Sequence, residues 1–479
     1  VKKGDKEMKK IGSSVFVAAC LVLCLLPFAG MAIAPTNTTT ENRKLVSFPE
    51  IKEEGKWNQE WLSQAGAYFE EHFAFRPYFV TADSEIMGKV FGVSNMDTVI
   101  DGQDGWLYYT ATRDDYLGAA VLSERGVYNA LHNLSLFQRY VEENGAKFLF
   151  TSAPNKNSLY GEHMPYYAGK KVSDVKNIDL LEAGFEKENI PYADLFAAFE
   201  NQKETLYLKR DSHWNQKGAL LAYHTMLSEL GKEHDAYETV RSIRTKTEYG
   251  DLNRMVYPKS AVPEWNYKYE KELSYQYVSD FQSVEDAWIQ TVNEKGQGSL
   301  LMFRDSFGNT LLPLMADVYK DGYFSKIVPY PAEEYMTQYH PDTVIVEKVE
   351  RNLSELAKEP PVMTGLSARI KDELQEKDTD TTVSVKGSDY DMSYLEIGGM
   401  LDDEYVKKDT NVYVTVQCAD KVQTYEAFTV SKEDSDNGYL LYLPKDSLSE
   451  DWLDVSVITK TKGKYTVVKQ KKCQIPAEE

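Results

Sequence analysis

Two rhythms of apolar and polar residues divide this chain. Between about residue 97 and residue 353, short apolar runs alternate with segments of helical period. Residues 98–100 and 105–109 read as strands. Residues 127–143 bring Ala130, Leu134, Phe137 and Val141 to one face and predict a long helix. The apolar run 147–152 predicts a buried strand, 178–188 a helix, 190–195 a strand and 219–230 a helix. Residues 231–298 carry no period that assigns them. A further apolar run, 300–303, leads at once to a helical pattern ending near Ala316, and 324–328 and 343–347 close the series as strands. Strands alternating with helices predict an α/β fold with a mostly parallel sheet flanked by helices.

After Pro360-Pro361 the rhythm changes. Residues 371–382 are polar and charged, and from there to Pro476 apolar residues recur at every second position, most clearly over 411–418, 438–443 and 453–458. With Asp436-Asn437-Gly438 as a turn, this predicts an all-β sandwich. At the other end, Lys2, Lys3, Lys6, Lys9 and Lys10 precede residues 11–34, which hold no charge. That run is long enough to span a bilayer, and the lysines favour a cytoplasmic start. Ala32-Ile33-Ala34 resembles a signal-peptidase site, but Pro35 follows it directly, so the expectation is an uncleaved single-pass anchor with the bulk of the chain outside the cytoplasm. Residues 57–76 read as one helical segment, with Trp61, Ala65, Tyr68, Phe69 and His72 at helical spacing. The expected organisation is an anchor or signal over 1–34, a Thr-rich linker over 35–44, an α/β domain over 45–360, a connector over 361–381 and a β-sandwich over 382–479.

Composition narrows the function. With 75 acidic against 54 basic residues the formal charge is −21, which argues against nucleic acid as a partner. The 33 tyrosines suit stacking on sugars as well as ordinary strand packing. Cys20 and Cys24 lie in the apolar run; Cys418 and Cys473 form a disulfide or remain two buried thiols. No Cys-x-x-Cys pair and no clustered histidines appear, so no metal and no cofactor is expected.

The candidate chemistry sits in two segments. Arg304-Asp305-Ser306-Phe307-Gly308-Asn309 joins a predicted strand to a predicted helix, setting Ser306 beside unpaired N–H groups and the positive end of the helix dipole. Such groups stabilise an oxyanion, though Ser306 equally fits a plain helix cap. Asp211-Ser212-His213-Trp214 places a carboxylate and an imidazole two residues apart, as a base and its orienting partner require, while a solvated loop pair reads equally well. Asn155 and Lys156 follow a strand and are oxyanion or substrate candidates, with turn chemistry as the plainer reading. Arg304 is a candidate for a substrate carboxylate or an ion pair. Trp214 is a candidate wall for a sugar ring or a packing residue.

Together Asp211-Ser212-His213-Trp214 and Arg304-Asp305-Ser306-Phe307-Gly308-Asn309 resemble the DHHW family and the SGNH-hydrolase-like domains of alginate-type polysaccharide O-acetyltransferases. Asn42-Arg43-Lys44-Leu45-Val46-Ser47-Phe48-Pro49, the Asp101–Tyr109 "G-x-D-G-W-L" strand, Ala153-Pro154-Asn155-Lys156 and Pro341-Asp342-Thr343-Val344-Ile345-Val346-Glu347 extend the likeness in order over roughly residues 42–353. The resemblance implies Ser306 as nucleophile, His213 as general base and Asp211 as its partner. It also implies a polysaccharide acceptor and a membrane-bound O-acyltransferase that supplies the acyl group. Ser212 departs from the pattern, replacing the first histidine of the namesake motif. A carbohydrate esterase with the same triad and a non-catalytic envelope scaffold are the alternatives.

Overall fold

The computed structural model describes residues 2–31, 33, 35–36, 45–53, 55–200, 202–278, 280–432 and 435–476. Most of the Thr-rich linker and the Asn42-Arg43-Lys44 part of the family-like opening segment lie outside these residues. Helix α1 (Lys2–Met31) contains the apolar run, and its Ser13–Met31 part is long and apolar enough to cross a membrane, with no share of its hydrophobic window buried. The helical segment expected over 57–76 is two helices, α2 (Trp61–His72) and α3 (Arg76–Ile86). Phe75, in the left-handed region at φ 64°, breaks the path, and Pro77 in the first turn of α3 suits a new helix start.

A short hairpin of β1 (Val99–Asp101) and β2 (Leu107–Tyr109) precedes the long helix α4 (Glu124–Glu143), capped by Ser123 accepting from the Gly126 N–H. There follow β3 (Lys147–Ala153), α5 (Asn177–Glu188), β4 (Tyr192–Ala193) and α6 (Gln216–Glu229). The strand expected over 190–195 shrinks to two residues because a helix, Leu195–Glu200, begins at once. The unassigned stretch contains β5 (Ser242–Glu248), α7 (Asp251–Val256), β6 (Glu264–Tyr269), β7 (Gln276–Tyr277) and β8 (Trp288–Val292). Strands β5 and β6 pair as a largely solvent-facing ribbon, which is why no apolar run announces them. Then come β9 (Ser299–Phe303), α8 (Gly308–Ala316), β10 (Asp321–Ser325), α9 (Ala332–Tyr339) and β11 (Thr343–Val349).

The sheet order is β4-β3-β11-β9-β10-β8-β7. Its first five strands run parallel, and β8 and β7 add an antiparallel edge. Successive side chains point to opposite faces, so each strand feeds two cores. Phe148, Phe150, Leu301, Phe303, Val344 and Val346 meet α4, α5 and α9, whereas Leu149, Leu300, Met302 and Ile345 meet α6 and α8. This two-sided burial explains the unbroken apolar runs that made β3, β9 and β11 legible.

Downstream, β12 (Leu366–Ser367) and β13 (Leu374–Glu376) come from residues 361–381, so that stretch is stitched into the following sheet. The remaining strands are β14 (Ser384–Gly387), β15 (Tyr394–Met400), β16 (Asn411–Cys418), β17 (Lys421–Lys432), β18 (Ser435–Pro444), β19 (Trp452–Thr461) and β20 (Lys464–Gln474). They form one path, β13-β20-β19-β16-β17-β18-β15-β14, with β12 against β17. The long strand β17 pairs with β16 through one half and with β18 through the other. Leu395, Ile397, Val414, Leu441, Val455 and Val457 from both halves of the path share one core, so the sheet closes over itself. Asp436-Asn437-Gly438 is strand rather than turn. Gly438 sits opposite Val430 and Met400, where a Cβ would lie 2.7 Å from the Val430 carbonyl oxygen. Cys418 and Cys473 are buried free thiols.

The β region docks on α4. Arg125 donates to the Thr410 carbonyl (2.8 Å), Asn129 to that of Asp436 (2.9 Å), and Asn133 exchanges bonds with the Thr429 backbone (2.9 and 3.1 Å). Phe428, Val430 and Tyr442 belong to the same apolar cluster as Leu134 and Phe137 of α4.

Candidate functional site

The site forms at the C-terminal ends of the parallel strands, where open α/β sheets put their ligands. Ser306 follows β9 and precedes α8. Asp305 fixes this turn: its Oδ1 accepts from the Phe307 N–H (2.8 Å) and its Oδ2 from the Val349 N–H (2.7 Å). Beneath lies Glu347, fully buried, accepting from the Asp305 N–H (3.1 Å); burial and the Asp305 charge push its carboxyl far above the usual range. Gly308 is required by contact, because a Cβ there would sit 2.7 Å from Cβ of Arg304 and 3.1 Å from Oε2 of Glu347. The Ser306 and Gly308 N–H groups have no protein acceptor among the described residues. They therefore remain free to donate to an oxyanion at the start of α8. Ser306 does not cap the helix; no side chain caps α8.

Asp211 and His213 sit on a tight loop closed by the antiparallel bridge Tyr207–Trp214 and by Leu208 N–H to His213 O (3.3 Å). Asp211 Oδ1 accepts from both the backbone N–H of His213 (2.9 Å) and its ring, with Nδ1 at 2.7 Å. The other ring nitrogen, Nε2, lies 2.9 Å from Ser306 Oγ. The carboxylate thus sets the tautomer: Nδ1 carries the proton and Nε2 is free to accept from the serine. Burial disfavours the imidazolium, but the Asp211 hydrogen bond and charge, with the Asp251 charge, outweigh it and raise the His213 pKa above the ordinary imidazole value. Burial likewise opposes ionisation of Asp211, yet the same bond, the His213 charge and two backbone N–H donors hold its carboxyl down at about 2.

Asp251, the first residue of α7, was hidden in the unassigned stretch and had no sequence signal. Its N–H donates to Asp211 Oδ2 (2.9 Å), and its carboxylate accepts from the N–H (2.7 Å) and Oγ (2.5 Å) of Ser212. Its Oδ2 is 3.7 Å from His213 Nδ1. Ser212 therefore ties a second carboxylate to the imidazole. Gly250 permits this docking, since a Cβ there would be 2.1 Å from the Arg210 carbonyl oxygen. Asp211, His213 and Asp251 bring potential ligand atoms within 4.8 Å of one another, but the carboxylate oxygens are engaged by these protein donors.

The remaining candidates fall elsewhere. Lys156 is buried, and its ammonium donates to the carbonyls of Leu208 (3.2 Å), Lys209 (3.0 Å) and Asp211 (2.5 Å). It holds the Asp211 loop in place rather than meeting substrate, and burial pushes it down to about 8. Asn155 precedes the next short helix without capping it through its side chain; its amide donates to Asp115 (3.3 Å) and its N–H to Glu350 (2.8 Å). Arg304 is buried and donates to Asn309 Oδ1 (2.5 Å) and the Val284 carbonyl (2.9 Å), so it braces α8 and is not presented to a substrate carboxylate. Trp214 is 1 % exposed, packs edge-on against Phe307 and donates to Thr310 (2.5 Å), so it offers no face to a sugar. Arg351, which sequence reasoning passed over, stands just past β11. Its guanidinium lies 5.5 Å from the ring centre of Tyr109 and 5.8 Å from that of Phe307, without an ion pair among the described residues.

The α/β region resembles an SGNH hydrolase-like domain. Residues 99–294 match the family described as "ALGX: SGNH hydrolase-like domain, acetyltransferase AlgX", a span that includes Asn155, Lys156, Asp211, His213 and Asp251 and ends before Ser306. No curated protein matches the chain. Among solved structures it is similar to a DHHW family protein from Eubacterium siraeum DSM 15702 (16 % identity, 53 % of this chain and 91 % of that one, TM-score 0.40). It is also similar to Bacillus cereus PatB1 with a sulfonyl adduct (15 %, 54 % and 96 %, TM-score 0.43) and to Pseudomonas aeruginosa AlgX (16 %, 73 % and 87 %, TM-score 0.36).

Proposed function

We propose that this protein is an extracytoplasmic O-acetyltransferase acting on a cell-envelope or exported polysaccharide. The observation that carries the reading is the unbroken chain Ser306 Oγ–His213 Nε2 (2.9 Å) and His213 Nδ1–Asp211 Oδ1 (2.7 Å). The match to an acetyltransferase family supports transfer as the reaction. His213 takes the Ser306 proton as Oγ attacks the acyl carbonyl, and the free N–H groups of Ser306 and Gly308 receive the oxyanion. His213 then protonates the leaving group, deprotonates the acceptor hydroxyl, and the acyl group passes from Ser306 to the sugar. A membrane-bound O-acyltransferase delivers the acyl group, and α1 holds the domain at the membrane surface where that donor works.

With Trp214 buried, the acceptor platform is sought elsewhere. A groove of about 600 Å³ beside the Asp211 loop is lined by Arg210, Arg244, Lys246, Trp265 and Tyr267, with Trp265 52 % exposed. The half-exposed Trp265 ring suits a sugar chain, with the Arg244 guanidinium 5.1 Å from its centre.

Hydrolysis is the competing outcome, because Ser306 and His213 are both partly open to solvent. The purified chain in detergent should turn over an activated acetyl ester slowly, and the right envelope oligosaccharide should accelerate acyl-enzyme breakdown and emerge acetylated. Fast release of free acetate, indifferent to every oligosaccharide and joined by deacetylation of acetylated polymer, would establish an esterase instead.

The pH profile tests the base. Because His213 must be neutral to accept the proton and its pKa is raised, kcat/KM should climb with pH through a midpoint above the ordinary imidazole value. Asp211→Asn should move that midpoint down while lowering the plateau. A midpoint that stays put in the variant would remove the Asp211–His213 link from the mechanism.

A further inference from the structure

His224, on α6, and His234, in the loop that follows, meet on the face of the domain that α6 covers. Their near nitrogens, His224 Nδ1 and His234 Nε2, are 3.1 Å apart. The far nitrogen of each ring faces a backbone carbonyl: His224 Nε2 that of Ala236 at 2.9 Å, His234 Nδ1 that of Lys232 at 2.7 Å. A carbonyl oxygen only accepts, so each far nitrogen must carry its ring's N–H. In two neutral rings this leaves both near nitrogens as bare lone pairs pointed at one another. Two lone pairs at that distance repel unless a cation sits between them.

A shared proton is one such cation. A metal ion is the other. Two imidazole nitrogens bound at ~2.0–2.1 Å to one tetrahedral ion lie roughly 3.3 Å apart, close to the separation here. Metal-bound histidines typically donate their second N–H to a carbonyl, as both of these do. Beside His234 opens a cavity of about 540 Å³, lined also by Glu233, Asp235, Lys232, Lys271 and Lys295, with room for water ligands. Asp235 is occupied by Lys271 (3.0 Å) and the Tyr237 N–H (2.8 Å), and among the described residues no carboxylate stands within reach of both rings.

We propose that His224 and His234 form a binding site for one divalent transition-metal ion of the zinc type, with water completing its coordination. The ion clips the loop after α6 to the helix, remote from the Ser306 chemistry in both residues and role. Imidazole ligands select zinc, nickel, copper or cobalt over magnesium and calcium.

The test uses the untagged full chain in detergent, titrated calorimetrically with zinc sulfate and, in parallel, with cobalt chloride followed by its visible absorption. One ion per chain should bind saturably, with magnesium chloride giving no heat, and the melting temperature should rise with zinc. His224→Ala and His234→Gln should each weaken uptake at least tenfold, while acyl-ester turnover by His224→Ala stays as in the parent. Asp211→Asn should bind zinc as tightly as the parent. Absence of saturable uptake, uptake undiminished in both histidine variants, or uptake lost in Asp211→Asn would each overturn the proposal, the last by moving the ion to the Asp211–His213–Asp251 cluster.

Discussion

Ser306→Ala is expected to reduce acyl transfer by about 10³-fold or more while leaving stability within roughly 1 kcal/mol of the parent. The two halves of that expectation come from different atoms. The Ser306 hydroxyl is hydrogen-bonded to His213 Nε2 and to no backbone group. The backbone bond that starts the helix, Asn309 N–H to Ser306 O (3.2 Å), is untouched by the substitution. Parallel measurements of ester turnover and thermal unfolding separate the roles. A variant that melts many degrees lower would identify Ser306 as a structural residue.

Lys156→Met should damage the enzyme as severely without touching the acyl group. Methionine matches the length of the stem but leaves the carbonyls of Leu208 and Asp211 without their donor, while that of Lys209 keeps the Leu107 N–H (2.9 Å). Each unsatisfied carbonyl costs about 1–3 kcal/mol, so the loop that carries Asp211 and His213 should relax rather than bear the strain. The expected result is a stability loss of about 3 kcal/mol or more together with a fall in kcat that exceeds any rise in KM. Chemical denaturation and steady-state kinetics on the same preparation check it. Full activity in a stable variant would mean that the loop keeps its shape without the ammonium.

These two residues mark how far the sequence could be read. Ser306, His213 and Asp211 stood out because each belongs to a short local pattern, a strand-to-helix turn or an Asp-x-His pair. The strands that flank them were legible through two-sided burial. Lys156 was singled out too, but a sequence does not say whether an ammonium faces a substrate or a ring of carbonyls. Trp214 misled for the same reason, since an aromatic beside a base is as useful to the core as to a ligand. Asp251 and Arg351 gave no signal because their importance lies in contacts across the chain: Asp251 meets Ser212 through a glycine that lets two backbones touch, and the Arg351 guanidinium lies 5.5 Å from the ring centre of Tyr109. The ribbon of β5 and β6 was unreadable because none of its positions is buried.

The seam between α4 and the C-terminal sheet bears on how this chain can change over generations. Asn133 gives and receives bonds with the Thr429 backbone and also donates to Leu356 (3.0 Å), and Arg125 and Asn129 reach carbonyls of the sheet. These partners are main-chain atoms, so substitutions along the sheet leave these bonds in place, unlike those of Asn129 to Ser431 Oγ (3.2 Å) and Arg139 to Glu426 (2.8 Å), whereas a change at Asn133 strands polar groups on the other side. The sheet's outward residues are free to drift toward a new ligand, the three seam residues on α4 are not, and exchange of the sheet between relatives succeeds only where the helix travels with it.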